Sequence, residues 1–175
     1  MPSTPASTVF LPTVPMRKVA RWMANHVYNK AGMDIGATTT GAETNSGSGI
    51  IYSIDGVHKT PKTDGSEPTP VPFTAGHTSL AASQKCLVAF TVNAAGDFTS
   101  YQSSIVAASA DDPEWPAIPI TQACFGGVKI ETSSSGTFVF GTEDLNDAQV
   151  TDTYYDFNGL PNTGPSAVSL TVTGS

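Results

Sequence analysis

The chain has 175 residues, enough for one domain with extensions and for a sizeable hydrophobic core. Only 13% of residues are charged, while Gly and Pro number 29 and Ser and Thr 41, which argues against a helical bundle, a coiled coil or a polyelectrolyte tail and for a turn-rich, soluble β protein. The formal net charge of −7 is unevenly placed: residues 1–33 hold Arg17, Lys18, Arg21 and Lys30 and no acid, and residues 34–175 sum to −11, so the body should repel phosphates and is not expected to bind nucleic acid.

Residues 1–15 contain Pro2, Pro5, Pro12 and Pro15 and read as an extended arm, since proline fixes φ and removes a backbone donor. Val9, Phe10, Leu11 and Val14 are its apolar anchors for a neighbouring molecule; a frayed terminus is the alternative. Residues 16–31 predict the chain's one short helix: Met16, Ala20, Met23 and Val27 make an apolar stripe, with Pro15 at its start and Gly32 just past its end. Arg17, Lys18 and Arg21 lie in its first turns and form either a solvated face or a contact for an acidic surface. Residues 34–48 are a Gly/Thr/Ser-rich linker, giving an organisation of arm and basic helix over 1–33, linker over 34–48 and a β-rich body over 49–175.

In the body, residues 49–54 read as a strand closed by the turn pair Asp55-Gly56. Pro61, Pro68, Pro70 and Pro72 restrict residues 59–72 to a long surface loop or an edge segment. Residues 87–92, a turn at 93–96 and residues 97–101 form the clearest hairpin. A connector holds Asp111, Asp112, Pro113, Glu114, Trp115 and Pro116; residues 123–131 are the next strand, with Gly126 and Gly127 marking a bulge or a close backbone approach. Residues 137–140 predict a strand, 143–149 a helical turn, and 151–157 and 166–172 the last two strands. The fold class is therefore mainly β, a sandwich or barrel body preceded by an extended arm and a short helix.

Little in the sequence points to catalysis. His26, His58 and His77 fall in no metal-ligand spacing and no Gly-x-Ser-x-Gly elbow is present, so no catalytic residue, metal or cofactor is assigned. The clusters Asp111, Asp112, Glu114 and Glu143, Asp144, Asp147 would suit a hard cation or solvated turns. Trp115, Tyr154 and Tyr155 would serve either a glycan platform or packing. Cys86 and Cys124 lie in apolar runs and read as buried free thiols, a disulfide being the alternative. No secretory signal and no apolar run of the ~18 residues a membrane span needs is seen, so a protein kept or assembled in the cytoplasm, away from membranes, is expected.

A sequential set of pieces spans residues 53–161. It runs from Ser53-Ile54-Asp55-Gly56 through residues 90–98, Trp115-Pro116-Ala117-Ile118-Pro119 and residues 125–130. It continues through residues 137–142, Leu145-Asn146-Asp147-Ala148, Thr153-Tyr154-Tyr155-Asp156 and Leu160-Pro161. In this order of pieces the chain resembles small β-rich structural proteins of tailed bacteriophage virions, most of all capsid decoration, or cement, proteins. The resemblance implies a non-enzymatic homotrimer on the capsid exterior, with the major capsid protein as partner. Val9, Phe10, Leu11, Val14, Arg17, Lys18 and Arg21 would be the capsid-binding residues. A tail or fibre module that contacts host glycans is the alternative, and a glycan hydrolase with paired carboxylates a more distant one. The Pro-rich stretch 59–72 departs from the family pattern.

Overall fold

The computed structural model describes residues 24–45, 49–62 and 69–157. The arm, the first part of the predicted helix and the predicted strand 166–172 lie outside the described residues. Eleven strands run in chain order: β1 His26–Val27, β2 Met33–Ile35, β3 Ala42–Thr44, β4 Ile50–Ile54, β5 Val57–Lys62, β6 Thr69–Val71, β7 Gln84–Val92, β8 Phe98–Gln102, β9 Val106–Ala107, β10 Ala123–Thr132 and β11 Val150–Asp156. All pairings are antiparallel. They make three open sheets, ordered β1-β4-β5, β2-β3-β6 and β11-β10-β7-β8, with β9 also paired to β7. The protein is mainly β, and no helix element occurs among the described residues.

β7 and β10 are the centre of the molecule. Residues 85–92 of β7 are buried without interruption, the pattern of a strand covered on both faces. Cys86, Val88, Phe90 and Val92 of β7 and Val128 and Ile130 of β10 face one shared core. Val27, Met33, Ala42, Ile50, Tyr52, Ile54 and Val71 enter the same core from the two smaller sheets. A bulge between Cys124 and Gly126 adds one residue to β10. This admits Phe125 to the core, stacked on Phe90 at 6.4 Å and tilted against Phe98 at 5.1 Å.

The hairpins follow local chemistry. Asp55 and Gly56 both take positive φ, 52° and 75°, as the tight turn that joins right-twisted strands requires. In the β7–β8 turn, Asn93 Oδ1 accepts from the N–H groups of Ala95 and Asp97, an Asx turn. Two prolines of residues 59–72 sit on edge strands, where a missing donor is tolerated. Pro61 lies in β5 and Pro70 in β6, both edge strands, and Pro61 falls at a register shift opposite Ile51.

Four expectations are corrected. The helix over residues 16–31 does not reach its predicted end, because His26 and Val27 pair with Ser53 and Tyr52 of β4. Gly32 has the positive φ of a helix stop, 64°, but turns the chain from β1 toward β2. The stretch read as a linker contains β2 and β3, whose short, polar sequences hide strands that exist through pairing with each other and with β6. Residues 137–140 form no strand; only a single bridge, Leu80 to Phe138, is made, and Phe138 is buried as a core plug. Residues 143–149 are a run of turns in place of the helical turn.

Candidate functional site

The capsid-binding candidates Val9, Phe10, Leu11, Val14, Arg17, Lys18 and Arg21 lie outside the described residues. Four other places concentrate polar or aromatic chemistry.

The first is the strap of residues 103–122, which pairs with β7 at β9 and then lies over the outer face of the large sheet from Asp112 to Gln122. Asp112 bridges Lys85 at 2.8 Å and Lys129 at 3.4 Å. Lys85 is almost fully buried, so its ammonium depends on this carboxylate. The hydrogen bond from Lys85, followed by the charge and bond of Lys129, lowers the Asp112 pKa. Further along, Trp115 lies over Gly127, where an added Cβ would stand 2.5 Å from the indole ring. At the far end Thr91 Oγ1 donates to Gln122 Oε1 and Asn25 Nδ2 to the Ile120 carbonyl. Of the cluster Asp111, Asp112 and Glu114, only Asp112 has an ion pair among the described residues.

The aromatics that would suit a glycan platform divide between two surfaces. Trp115 meets Tyr155 and Phe157 edge to face, at 84° and 89°, so the three rings offer no common plane. Tyr154, next to Tyr155 on β11, points to the opposite face and packs against the core. Its hydroxyl is buried without a hydrogen-bond partner among the described residues, and burial, then the nearby Asp152 carboxylate, raises its pKa.

The second place is a row of rings on the outer face of the β1-β4-β5 sheet. Register places His26, Ser53 and His58 side by side. Tyr28 lies between the imidazoles, edge-on to His26 at 4.9 Å and stacked on His58 at 5.8 Å, with its hydroxyl bonded to Ser53 Oγ at 3.1 Å. Tyr28 is 52% exposed. No sequence signal announces this row, because it needs His26 on a strand.

The third place surrounds His77, whose Nε2 lies 2.7 Å from Ser100 Oγ. The imidazole packs against Phe73 and Phe140, and burial lowers its pKa. Ser100 is buried, and its Oγ already accepts from the Thr74 N–H. The pair therefore ties a loop down and does not present a nucleophile to solvent. Ser100 is not legible as a partner in sequence, being 23 residues from His77.

The fourth is an open polar depression of about 450 Å³ lined by Ser135, Gly136, Thr137, Thr142, Glu143, Asp144, Asp147 and Gln149. Its carboxylates serve the local backbone and hydroxyls: Glu143 accepts from Val139 N–H, Asp147 from Gln149 N–H and Asp144 from Thr39 Oγ1. Among the described residues, no three His, Cys, Asp or Glu side chains converge as a cation would need.

Cys86 and Cys124 are both free thiols; Cys86 is buried as expected, whereas Cys124 is only partly buried. Cys124 lies opposite Thr91, five residues along β7 from Cys86, or about 16 Å, well beyond disulfide reach. Burial pushes Cys86 up to about 11 and Cys124 up to about 12. No protein family, no curated protein and no solved structure matches this chain.

Proposed function

We propose that the chain is a non-catalytic virion protein of a tailed bacteriophage, a capsid decoration protein whose β-sandwich body sits as a homotrimer on the head exterior. Its partner is the major capsid protein. Val9, Phe10, Leu11 and Val14 lay the arm along a neighbouring subunit, and Arg17, Lys18 and Arg21 meet an acidic capsid surface. Binding the assembled lattice stabilises the shell by mass action, and several weak contacts per trimer combine through avidity.

The observation that supports this reading is the placement of the pieces that carry the resemblance. Ser53 to Gly56 end β4 and make its turn, residues 90–98 are the β7–β8 hairpin, and Trp115 to Pro119 are the middle of the strap. Residues 125–130 follow the β10 bulge, and Thr153 to Asp156 lie in the edge strand β11. Of the remaining pieces, residues 137–142 and Leu145 to Ala148 lie in turns and connecting segments, and Leu160 and Pro161 lie outside the described residues.

Co-sedimentation with expanded heads of the virus that encodes the chain tests the reading. Saturable binding is expected, lost on removing residues 1–15 and weakened by reversing the charges of Arg17, Lys18 and Arg21. Failure of the intact chain to pellet with such heads at saturating concentration would overturn it. The exposed Tyr28–His58 stack favours a second reading, a glycan-contacting tail or fibre module. Binding to a glycan array that Tyr28→Ala abolishes would support that reading in place of the first.

A further inference from the structure

β8 ends its sheet, and among the described residues no strand lies on its outer side. An open edge of this kind presents unpaired backbone groups that recruit other strands. Here residues 73–78 lie over it. Ser100 N–H donates to Thr74 Oγ1 at 2.8 Å, and Thr74 N–H donates back to Ser100 Oγ at 2.7 Å. One step along, Thr78 N–H donates to Gln102 Oε1 at 2.7 Å, and Gln102 Nε2 donates to the Thr78 carbonyl at 2.8 Å. Each of these four bonds joins a side chain to the backbone, so the cover imitates a strand without the ladder of one. Thr74 and Thr78 are exposed, and His77 between them supplies the inward contact.

We propose that residues 73–78 are an acid-released cover of the β8 edge, with His77 as the latch. The imidazole fills a notch between the Phe73 and Phe140 rings, at 6.2 and 5.0 Å, and bonds to the Ser100 hydroxyl that also anchors Thr74. A proton on His77 puts a charge into this notch. The titratable groups on the elements packed against it are Asp97 and Tyr101 around β8 and Glu143 beyond Phe140; among the described residues none forms an ion pair with His77. The Asp97 carboxylate is bonded by Asn93 and that of Glu143 by the Val139 N–H. The imidazolium therefore gains no compensating partner and is better solvated with the cover lifted.

The sign follows from the lowered pKa of the closed state. The closed form is favoured in full above the free imidazole value of about 6.5, and that preference is lost as pH falls from there through the latched value. Within that window the opening constant rises about tenfold per pH unit.

Amide hydrogen exchange at about pH 7.5 and about pH 5, corrected for intrinsic rates, is the test. Protection of the Thr78 and Ser100 amides should fall at the lower pH while Val88 and Val128 keep theirs. His77→Gln should remove the pH dependence. Unchanged protection at Thr78 and Ser100, an equal loss at Val88 and Val128, or a pH dependence that survives in His77→Gln would each overturn the proposal. Should that variant fail to fold, ring-carbon NMR titration of His77 in the wild-type chain decides. A midpoint below that of a free imidazole, moving together with the Thr78 amide signal, supports the latch, and independent titration of the two overturns it.

Discussion

The adjacent glycines Gly126 and Gly127 show how single positions carry the packing of whole layers. At Gly126 an added Cβ would meet Met33 Cγ, Met33 Sδ and the Tyr155 carbonyl, and at Gly127 the Trp115 ring at 2.5 Å and the Val88 carbonyl at 2.8 Å. Met33 is a flexible chain and can yield in part; the Val88 carbonyl belongs to the central ladder and cannot. Gly127→Ala is therefore expected to destabilise the protein by about 1–3 kcal/mol in urea denaturation, by overpacking. Gly141→Ala, where a Cβ meets nothing within 4 Å but φ is +72°, isolates the backbone cost, about 1 kcal/mol. A Gly127→Ala effect no larger than that of Gly141→Ala would show that Trp115 does not bear on Gly127. The thiols make a second prediction at this scale. With Cys86 pushed up to about 11 and Cys124 up to about 12, fewer than about one thiol in a thousand is ionised at pH 8. A thiol-reactive dye should label neither cysteine in the native protein within minutes and both at once in denaturant, as mass spectrometry of the intact chain will read directly.

At the scale of elements, the strap of residues 103–122 turns a two-faced sheet into a buried layer. It lets β7 be buried on both faces, and it is anchored by charge at Lys85 and Lys129 and by an indole over a glycine. Asp112→Asn leaves the buried Lys85 ammonium without its ion pair and should lower the urea midpoint at neutral pH. Asp112 also contributes to acid sensitivity. Its native pKa lies below the ordinary carboxylate value, so its stabilisation is complete above about pH 4 and disappears as pH falls through the native value. The Asp112→Asn variant should show a shallower loss of stability on that acid limb, measured as urea midpoints from neutrality downward; an unchanged limb would place the acid sensitivity elsewhere. The Phe90→Ala substitution removes a ring that stacks on Phe125 and tilts against Phe73 and should cost about 3–5 kcal/mol, a test of whether the β7–β10 core carries global stability.

At the scale of the whole molecule, the fold is one apolar cluster served by three antiparallel sheets. Under the decoration reading, light scattering of the purified chain should give the mass of a trimer that persists on dilution; a monomer would restrict trimer formation to the capsid lattice. The long body strands are legible in the amino-acid sequence: the β7–β8 hairpin, β10 and β11 lie within a few residues of their predicted bounds, because period-two patterns and turn residues act locally. The Asp55-Gly56 turn, the bulge at Gly126 and the edge placement of Pro61 and Pro70 are legible because each rests on a local property: the φ the turn residues take, the missing side chain of Gly126 or the donor proline lacks. Other features depend on distant partners. His26 and Val27 fit an amphipathic helix in isolation and become a strand because β4 offers a ladder. Met33–Ile35 and Ala42–Thr44 are strands only as neighbours of each other and of β6, and Phe138 is a core plug, not a strand residue, because Leu80 alone bridges to it. The Tyr28–His58 stack, the Lys85–Asp112 bridge and the His77–Ser100 latch unite residues 23 to 30 positions apart. The sequence by itself determined the β class, the long strands and their turns, because those rest on local sterics and alternation; the tertiary structure decided the short strands, the covered faces and every juxtaposition of chemical groups, because those arise only when pairing and burial bring separate segments together.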